Sequence, residues 1–502
     1  MPRRKYVSES SQVLDSGIIA QLKNVETSEN SENSENLDFL EKSILSIKPE
    51  TFTPFSKGNI IRDSLFLSLI CLAGFGLYFL YDVPSAIGLD IKTATNMSNS
   101  DFMFTFYTLY SYPSAIAAIF SGFLIDNIFG LGLGGVVFAG IGVLSQIIMY
   151  LGFVFRRNWM LGTGRFLHGL ASEPLGVLRS TYNAKYFPDA AFYGLVLAAS
   201  RSGAVGSILA LPPILCWAYD KSPSCLNDKN LTLNDTITDL DHDEVYSALE
   251  ICVMFGIFAV VLVLAMMMTL WKVDLYFDKK LGKKTKSSKK TDEINMLKSV
   301  RSFPKSAWLL IFVFLFFYSS IFPFNSMLPD YLKQHLNFDK DVAARMSSVI
   351  YLLSVVGAPF FGKLVDLTHR HPLWSLGSCT ILGVSHFTWG WLVANAENYE
   401  TIKFLLLSLN LVNGLCYSIM ASTISPWLGK MMPMKLKATA FGVMFGFQNL
   451  GVGSINYFLG FGVDKFGWAY FPFLCGSVSF IAAGFSLILV FVEGVDPWDS
   501  YE

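Results

Sequence analysis

The chain has 502 residues, 52% of them apolar and 15% charged, with a positive mean hydropathy. Apolar content on that scale exceeds what a water-soluble core requires, which excludes an ordinary soluble enzyme and makes a lipid bilayer the expected solvent. The net charge of −1 gives no surplus that calls for a nucleic acid or another polyanion, and in such a chain charge informs by its location.

The first 60 residues are polar, with a threefold Ser-Glu-Asn run from Ser28 to Asn36. Such a segment cannot bury enough apolar surface to fold, so 1–61 is expected to be a disordered arm. No apolar signal-peptide core precedes residue 64, and the first membrane helix is expected to serve as its own insertion signal. Beyond it, apolar stretches of about 20 residues, the length a helix needs to cross a hydrocarbon core, recur along the chain. Twelve are predicted: 64–84, 102–125, 131–154, 159–183, 191–218, 246–270, 307–330, 345–366, 373–395, 402–428, 438–461 and 469–493. The segment 271–306 carries 11 Lys and Arg residues, which the positive-inside rule assigns to the cytoplasm. An even number of spans then puts both termini there, including a short tail at 494–502. The sequons Asn96-Met-Ser98, Asn230-Leu-Thr232 and Asn234-Asp-Thr236 all fall in loops of the opposite side, where glycosylation is possible. Six-helix units are expected at 62–270 and 307–493. Of seven cysteines, most lie in apolar segments and read as packed thiols, with no metal-ligand spacing and no implied cofactor. Cys216 and Cys225 flank the far end of the fifth helix and are candidates for a disulfide.

An internal repeat joins the two units. Gly122-Phe-Leu-Ile-Asp126 follows the second helix and Gly362-Lys-Leu-Val-Asp366 the eighth, at an offset of 240; Phe192-Tyr-Gly194 and Ala440-Phe-Gly442 repeat at 248. Glycine lets two helices approach closely, and the aspartate accepts hydrogen bonds from a helix N-terminus or pairs with a base. Together these read as a cytoplasmic latch. In the first copy Asn127, Ile128 and Phe129 follow the aspartate in place of basic residues, so its partner is sought elsewhere, at Arg179.

Gly-x-x-x-Asp at both positions, with Gly164-Arg165-Phe-Leu-His168-Gly169, resembles the signature of the major facilitator superfamily. Within it, Gly74-Phe-Gly-Leu-Tyr78-Phe-Leu-Tyr81-Asp82-Val-Pro84, Tyr110-Ser-Tyr-Pro113, Phe322-Pro-Phe324 and Gln448-Asn-Leu-Gly451 are similar to the lysosomal dipeptide transporters, over roughly 60 to 495. The resemblance implies an all-α membrane protein of twelve helices in two pseudo-symmetric six-helix bundles. It also implies a dipeptide uniporter of lysosomal or other endomembranes, often with a glycosylated single-span accessory protein. Three sequons in this chain lessen the need for such a partner. No acidic dileucine signal stands in the arm, where Asp15-Ser-Gly-Ile18-Ile19 is nearest, so the plasma membrane is the alternative location.

An ionisable side chain near the bilayer midplane is costly and points to function. Glu173 and Arg201 stand there and match the resembled family's positions for holding a dipeptide. A zwitterionic peptide suits this pair, with its ammonium on Glu173 and its carboxylate on Arg201. The alternative is that the two pair with each other and hold two helices in register. The repeat sets Asn449 opposite Arg201 and Ser418 opposite Glu173, so the second unit is expected to offer neutral contacts from Asn449, Gln448, Tyr351 and Tyr318. Tyr110 is a further cavity candidate. Arg165 reads as structural and His168 as a weak proton-relay candidate, while Asp82 is expected to gate or cap at the end of the first helix. Gly130-Leu-Gly-Leu-Gly134 superficially resembles a nucleotide loop but opens a membrane helix, and no Walker motif is present. A proton-coupled carrier of another small solute and a non-transporting receptor are the competing functions.

Overall fold

A computed structural model describes residues 60–187, 190–219, 242–280, 300–433 and 436–493. The expected arm, Asn230, Asn234, Cys225, positions 281–299 of the basic segment, the tail 494–502 and the Asp126 side chain lie outside the described residues. Cys216 itself is disulfide-bonded.

The described residues form helices and no strand. In chain order these are α1 (Ile60–Ala86), α2 (Gly88–Thr95), α3 (Asn99–Met103), α4 (Leu109–Leu124), α5 (Gly130–Val154), α6 (Asn158–Tyr186) and α7 (Ala190–Ala218). They continue as α8 (His242–Lys280), α9 (Lys305–Asp330), α10 (Lys340–Thr368), α11 (His371–Asn395), α12 (Tyr399–Met431), α13 (Lys437–Phe466) and α14 (Tyr470–Glu493). Single π-turns at Phe104–Thr108 and Ile125–Phe129 join α3 to α4 and α4 to α5, and a third, Tyr331–His335, extends α9. Helix α8 runs ten residues past the expected boundary at 270. Asn96 is exposed in a left-handed conformation at the end of α2.

Eight helices, α1, α5, α7, α8, α9, α10, α12 and α14, contain stretches long and apolar enough to cross a membrane. The other four expected spans, 102–125, 159–183, 373–395 and 438–461, fall on α3 with α4, α6, α11 and α13. Helix α4 is merely short, 16 residues between two π-turns, and the lower apolarity of the other three has a physical reason. Arg165, His168 and Arg179 on α6, Ser375, Ser378 and His386 on α11, and Gln448, Asn449 and Asn456 on α13 are polar side chains turned into protein rather than lipid.

Among the helices before residue 280, α1 packs on α7 and α8, α5 on α6 and α8, and α4 on α6. Among those after 305, α9 packs on α13 and α14, α11 on α12 and α14, and α10 on α12. The two sets meet along α7 with α10 and α4 with α13. Both seams depend on glycine at one end. A Cβ on Gly122 would lie 2.4 Å from the Ala438 carbonyl oxygen, one on Gly442 2.5 Å from that of Ala118, and one on Gly194 2.4 Å from that of Ala358. Asp366 closes the same end, accepting from the Ala191 N–H at the start of α7 (3.2 Å) and from Lys430 Nζ (3.4 Å).

Charges close the other end. Lys92 Nζ on α2 meets Asp330 Oδ2 on α9 at 2.7 Å and donates to Asn99 Oδ1 at 2.9 Å. Asn99 in turn donates to Asp464 Oδ1 at 3.0 Å, and the Ser100 N–H donates to Asp464 Oδ2 at 2.8 Å. Lys92 and Asp330 are both nearly buried, so neither charge has water to fall back on.

Gly122→Ala is expected to lower stability by about 1–3 kcal/mol through overpacking against Ala438. Gly140 has open space where its Cβ would stand, and Gly140→Ala is expected to be neutral or to stabilise by up to about 1 kcal/mol. Thermal melting of the purified variants checks both, and equal melting points would contradict the close-approach argument. At the opposite end, Lys92→Ala is expected to destabilise by about 3–5 kcal/mol, because Asp330 is left buried without its cation, and Lys92→Ala/Asp330→Ala by clearly less. A double mutant no more stable than the single one would show that the pair does not act as a unit.

Candidate functional site

Helix α6 carries the centre of the molecule. Pro174 sits inside it and lacks an N–H, so the backbone hydrogen-bond ladder is interrupted next to Glu173. One turn on, Gly176 has no side chain, and the Glu173 carboxylate lies over it, 3.6 Å from where a Cβ would stand. Gly169 allows α6 to press on α4, since its Cβ would lie 2.2 Å from the Tyr110 carbonyl oxygen, and Ser114 Oγ donates to the Gly169 carbonyl at 3.0 Å. That contact sets Tyr110 Oη 3.2 Å from Glu173 Oε1, to which it donates.

Glu173 faces a central cavity that is partly open to solvent, with about 970 Å³ of non-atom space when that open solvent is counted. Its walls are largely aromatic, with Tyr78, Tyr81 and Tyr110 on one side and Phe314, Tyr318 and Phe322 on the other. Polar groups punctuate them: Glu173, Arg179 and Asn183 from α6, Asp82 from α1, Tyr351 from α10, and Gln448 and Asn449 from α13. The Asn449 side chain reaches Glu173 across the cavity, and its Nδ2 also donates to the Phe445 carbonyl at 2.9 Å. Both amide atoms of Asn183 and the Oε1 of Gln448 are buried without a hydrogen-bond partner. Buried polar groups are rarely left so, and a ligand with donors and acceptors would satisfy them.

The structure brings Glu173, Tyr110, Tyr318, Tyr351, Gln448 and Asn449 together on this cavity, as a group of residues drawn from five helices. Arg201 and Ser418 are not among its lining residues. The Arg201 guanidinium is fully buried between α7, α10 and α12; it donates through Nη1 to Ser354 Oγ, through Nη2 to the Tyr417 carbonyl at 3.2 Å, and stacks 3.5 Å from the Tyr417 ring centroid. Nor does it form an ion pair with Glu173: these contacts take it to the opposite helices. Ser418 donates back to the Gly414 carbonyl at 2.7 Å and packs where Gly357 has no side chain, so it serves the α10–α12 contact.

The gating and structural candidates separate in a similar way. Arg165 donates to three backbone carbonyls, Phe106 at 2.8 Å, Tyr81 at 3.3 Å and Leu80 at 3.4 Å, and lies over the rings of Tyr107 and Tyr110. It therefore binds α6 to α1 and to the turn before α4. His168 is buried beside the Tyr110 ring, and neither ring nitrogen has a hydrogen-bond partner. Asp82 Oδ1 accepts from Tyr351 Oη at 3.3 Å, a contact between α1 and α10 that roofs the cavity. Gly362 is buried on α10, four residues before Asp366.

Arg179, expected as the partner of Asp126, lines the cavity; the Asp126 side chain, and with it that pairing, lies outside the described residues. Its Nη1 donates to Ser200 Oγ at 2.8 Å, its guanidinium lies 5.8 Å from the Tyr78 ring centroid, and its charge acts on Glu173. Sequence reasoning assigned it to the helix end because 159–183 leaves only one turn after it, whereas α6 continues to Tyr186. An ionisable residue within an apolar span was the signal that would have found it. Asn183, one turn further on, carried no such signal.

The sequence matches the family model of the Major Facilitator Superfamily over residues 66–396 and 310–501. It is 28% identical to the lysosomal dipeptide transporter MFSD1 of Bos taurus over 422 residues, 83% of each chain. To the same transporter of Homo sapiens it is 28% identical over 424 residues, 83% of this chain and 84% of that one. Among solved structures, the proton:xylose symporter XylE bound to 6-bromo-6-deoxy-D-glucose superposes with a TM-score of 0.58 at 14% identity, covering 85% of this chain and 95% of that one. The glycine-rich start of α5 opens a helix that no strand precedes among the described residues. With a helical frame, a polar cavity enclosed by aromatic walls and a family match extending from α1 to the last helix, the chain belongs to the Major Facilitator Superfamily.

Proposed function

We propose that the chain is a dipeptide transporter that works by alternating access, as a uniporter, in lysosomal or similar endomembranes. The carrying observation is the central cavity, where two carboxylates, the half-buried Glu173 and the buried Asp82, stand among aromatic walls with polar groups that lack partners among the described residues. A dipeptide offers an ammonium to Glu173, amide groups to Asn183, Gln448 and Asn449, and variable side chains to the walls. Tyr110, Tyr318 and Tyr351 line the rest. The naming of the MFSD1 relatives as lysosomal dipeptide transporters supports both the substrate class and the compartment.

On this reading the twelve expected spans form two six-helix bundles, α1 with α3 to α8 and α9 to α14, and the packing pairs listed by helix above support that division. The glycine seams with Asp366 would act as the gate on the cytoplasmic side, and the Lys92–Asp330 and Asp82–Tyr351 contacts as the gate on the other. Each would open in turn around the fixed cavity. Arg201 acts across the bundles, holding α7 to α10 and α12 until the cycle parts them. An exposed Asn96 is compatible with a glycan, and a glycosylated single-span accessory protein remains part of the proposal as a protective partner rather than a component of the pathway.

Counterflow of a labelled dipeptide into proteoliposomes tests the function. Uptake is expected to saturate and to be indifferent to an imposed pH gradient; a dependence on that gradient would favour a proton-coupled carrier, and absence of uptake would reject dipeptide transport. Glu173→Gln is expected to reduce uptake by about tenfold or more, the effect of removing one charge-assisted hydrogen bond. Asn449→Ala should reduce it less, by about 3- to 10-fold, since a neutral hydrogen bond is weaker. An Asn449→Ala defect as deep as that of Glu173→Gln would contradict charge recognition by the N-terminal half.

A further inference from the structure

We propose that Arg179 makes the transporter selective for dipeptides with an acidic side chain, gripping the aspartyl or glutamyl carboxylate inside the central cavity. The inference rests on the dipeptide reading above and names the members of that class which the site favours. The charges an occupant would meet lead to it. The ammonium of a dipeptide falls to Glu173. Its terminal carboxylate falls to Arg201, whose Nε is buried without a hydrogen-bond partner among the described residues and is reached when the cycle parts α7 from α10 and α12. Asp82 already accepts from Tyr351 and lies in the field of Arg165. Arg179 also lines the cavity, and its hydrogen-bond partner among the described residues is the neutral hydroxyl of Ser200. A dipeptide with neutral side chains therefore leaves this fourth charge unanswered. A cation kept that way among membrane helices is costly, and an anionic side chain on the ligand removes the cost.

The surroundings of Arg179 suit a carboxylate. Its Nη1 donates to Ser200 Oγ at 2.8 Å, and Ser200 Oγ donates in turn to the Val196 carbonyl at 2.7 Å, which makes it a fixed acceptor. A guanidinium has five N–H donors in a planar fork, so the remaining ones can hold a carboxylate through two parallel bonds. The seat of the guanidinium is kept open by glycine, since a Cβ on Gly74 of α1 would collide with both Arg179 Nη1 and Ser200 Oγ. One turn along α1, the Tyr78 ring centroid lies 5.8 Å from the guanidinium. Glu173 and Arg179 are six residues apart on α6, about 9 Å along the helix axis. Midway between them Gly176 faces the cavity without a side chain, so that stretch of α6 is bare. An extended two-residue backbone spans at most about 7 Å, and with its ammonium on Glu173 an acidic side chain has the reach to cover the rest. Beyond Arg179, both amide atoms of Asn183 are buried without a partner, so this end of the cavity keeps polar capacity for a ligand.

Competition against counterflow of labelled alanyl-alanine, with the full-length protein in proteoliposomes at neutral pH, tests the assignment. The unlabelled competitors are two pairs, alanyl-glutamate with alanyl-glutamine and glutamyl-alanine with glutaminyl-alanine, in which the amide keeps the shape of the acid and lacks its charge. The wild type is expected to prefer the acid in at least one pair by about tenfold or more. Arg179→Gln should bring that ratio to one or below, because Glu173 and Asp82 then repel the acidic side chain unopposed. Arg179→Lys should keep part of the preference, as a charge without the fork. Gly74→Ala should lower the ratio by displacing the guanidinium with its charge intact. Ligand-induced shifts in melting temperature of the purified protein give the same ratios for any variant too slow to assay. An arginine that only balanced Glu173 at a distance would leave acid and amide bound alike, so a wild type with no preference in either pair overturns the proposal. An Arg179→Gln protein that keeps the wild-type ratio overturns it as well. Absence of any dipeptide uptake by the wild type would instead remove the functional reading on which the inference stands.

Discussion

A charge placed among helices in a bilayer has to find partners inside the protein, and the centre of this molecule is organised by that requirement. Four ionisable side chains on α6 and α7 meet it in different ways. Arg165 takes backbone carbonyls from α1 and the turn before α4. Arg201 takes a hydroxyl, a carbonyl and an aromatic face from α10 and α12. Glu173 takes a tyrosine hydroxyl and stands by Asn449, while Arg179 takes Ser200. Arg165 is held by the protein, and so is Arg201 except at its Nε, which is buried without a hydrogen-bond partner among the described residues. The second two are left with capacity to spare, and only those two face the cavity.

The same distinction explains why the seams between the two sets of helices differ at their ends. At Gly122, Gly194 and Gly442 the backbones touch without any side chain between them, a contact made of van der Waals packing that can part without exposing a charge. At the other end Lys92, Asp330, Asn99 and Asp464 form a chain of polar contacts that would have to be replaced by water when broken. A proposed cycle of alternating access therefore opens one gate against dispersion forces and the other against electrostatics. The two gates respond to salt differently, since the nearly buried Lys92–Asp330 pair is screened little and the more exposed Asp366–Lys430 pair at the glycine end is screened more.

Sequence reasoning reached some of this and stopped at identifiable points. Glycines at 122, 194 and 442 were legible because the repeat marked them, and close approach is what glycine in a membrane helix most often provides. Glu173 was legible because a carboxylate among apolar residues has no cheap explanation. The partners of Arg201 were not, because Ser354 and Tyr417 lie more than 150 positions away and no helical period links them to it. Offset arithmetic placed Ser418 opposite Glu173, but the repeat relates backbones and not the direction of each side chain, and Ser418 turns to its own helix. Three of the expected spans, on α6, α11 and α13, show the converse: low hydropathy there records polar side chains directed at protein, so a threshold on apolarity misses α6 and α13, which line the cavity.

Asymmetry between the two halves follows from the cost of charge. Duplication set α6 and α12 in corresponding places, yet a second pair of charges on α12 or α13 would have to be buried whenever the cavity was empty, at a cost of several kcal/mol per ion. Neutral amides avoid that cost. Gln448 and Asn449 can lie unsatisfied or turn to a backbone carbonyl, as Asn449 does with Phe445, and still meet the peptide groups of a passing ligand. On the proposed reading, the first half holds the charged ends of the substrate while the second follows its middle with amides and tyrosines, so that the second half moves without breaking an ion pair. The proposed recognition is one-sided for that reason: α6 brings charges to the cavity, whereas α13 brings the neutral amides of Gln448 and Asn449.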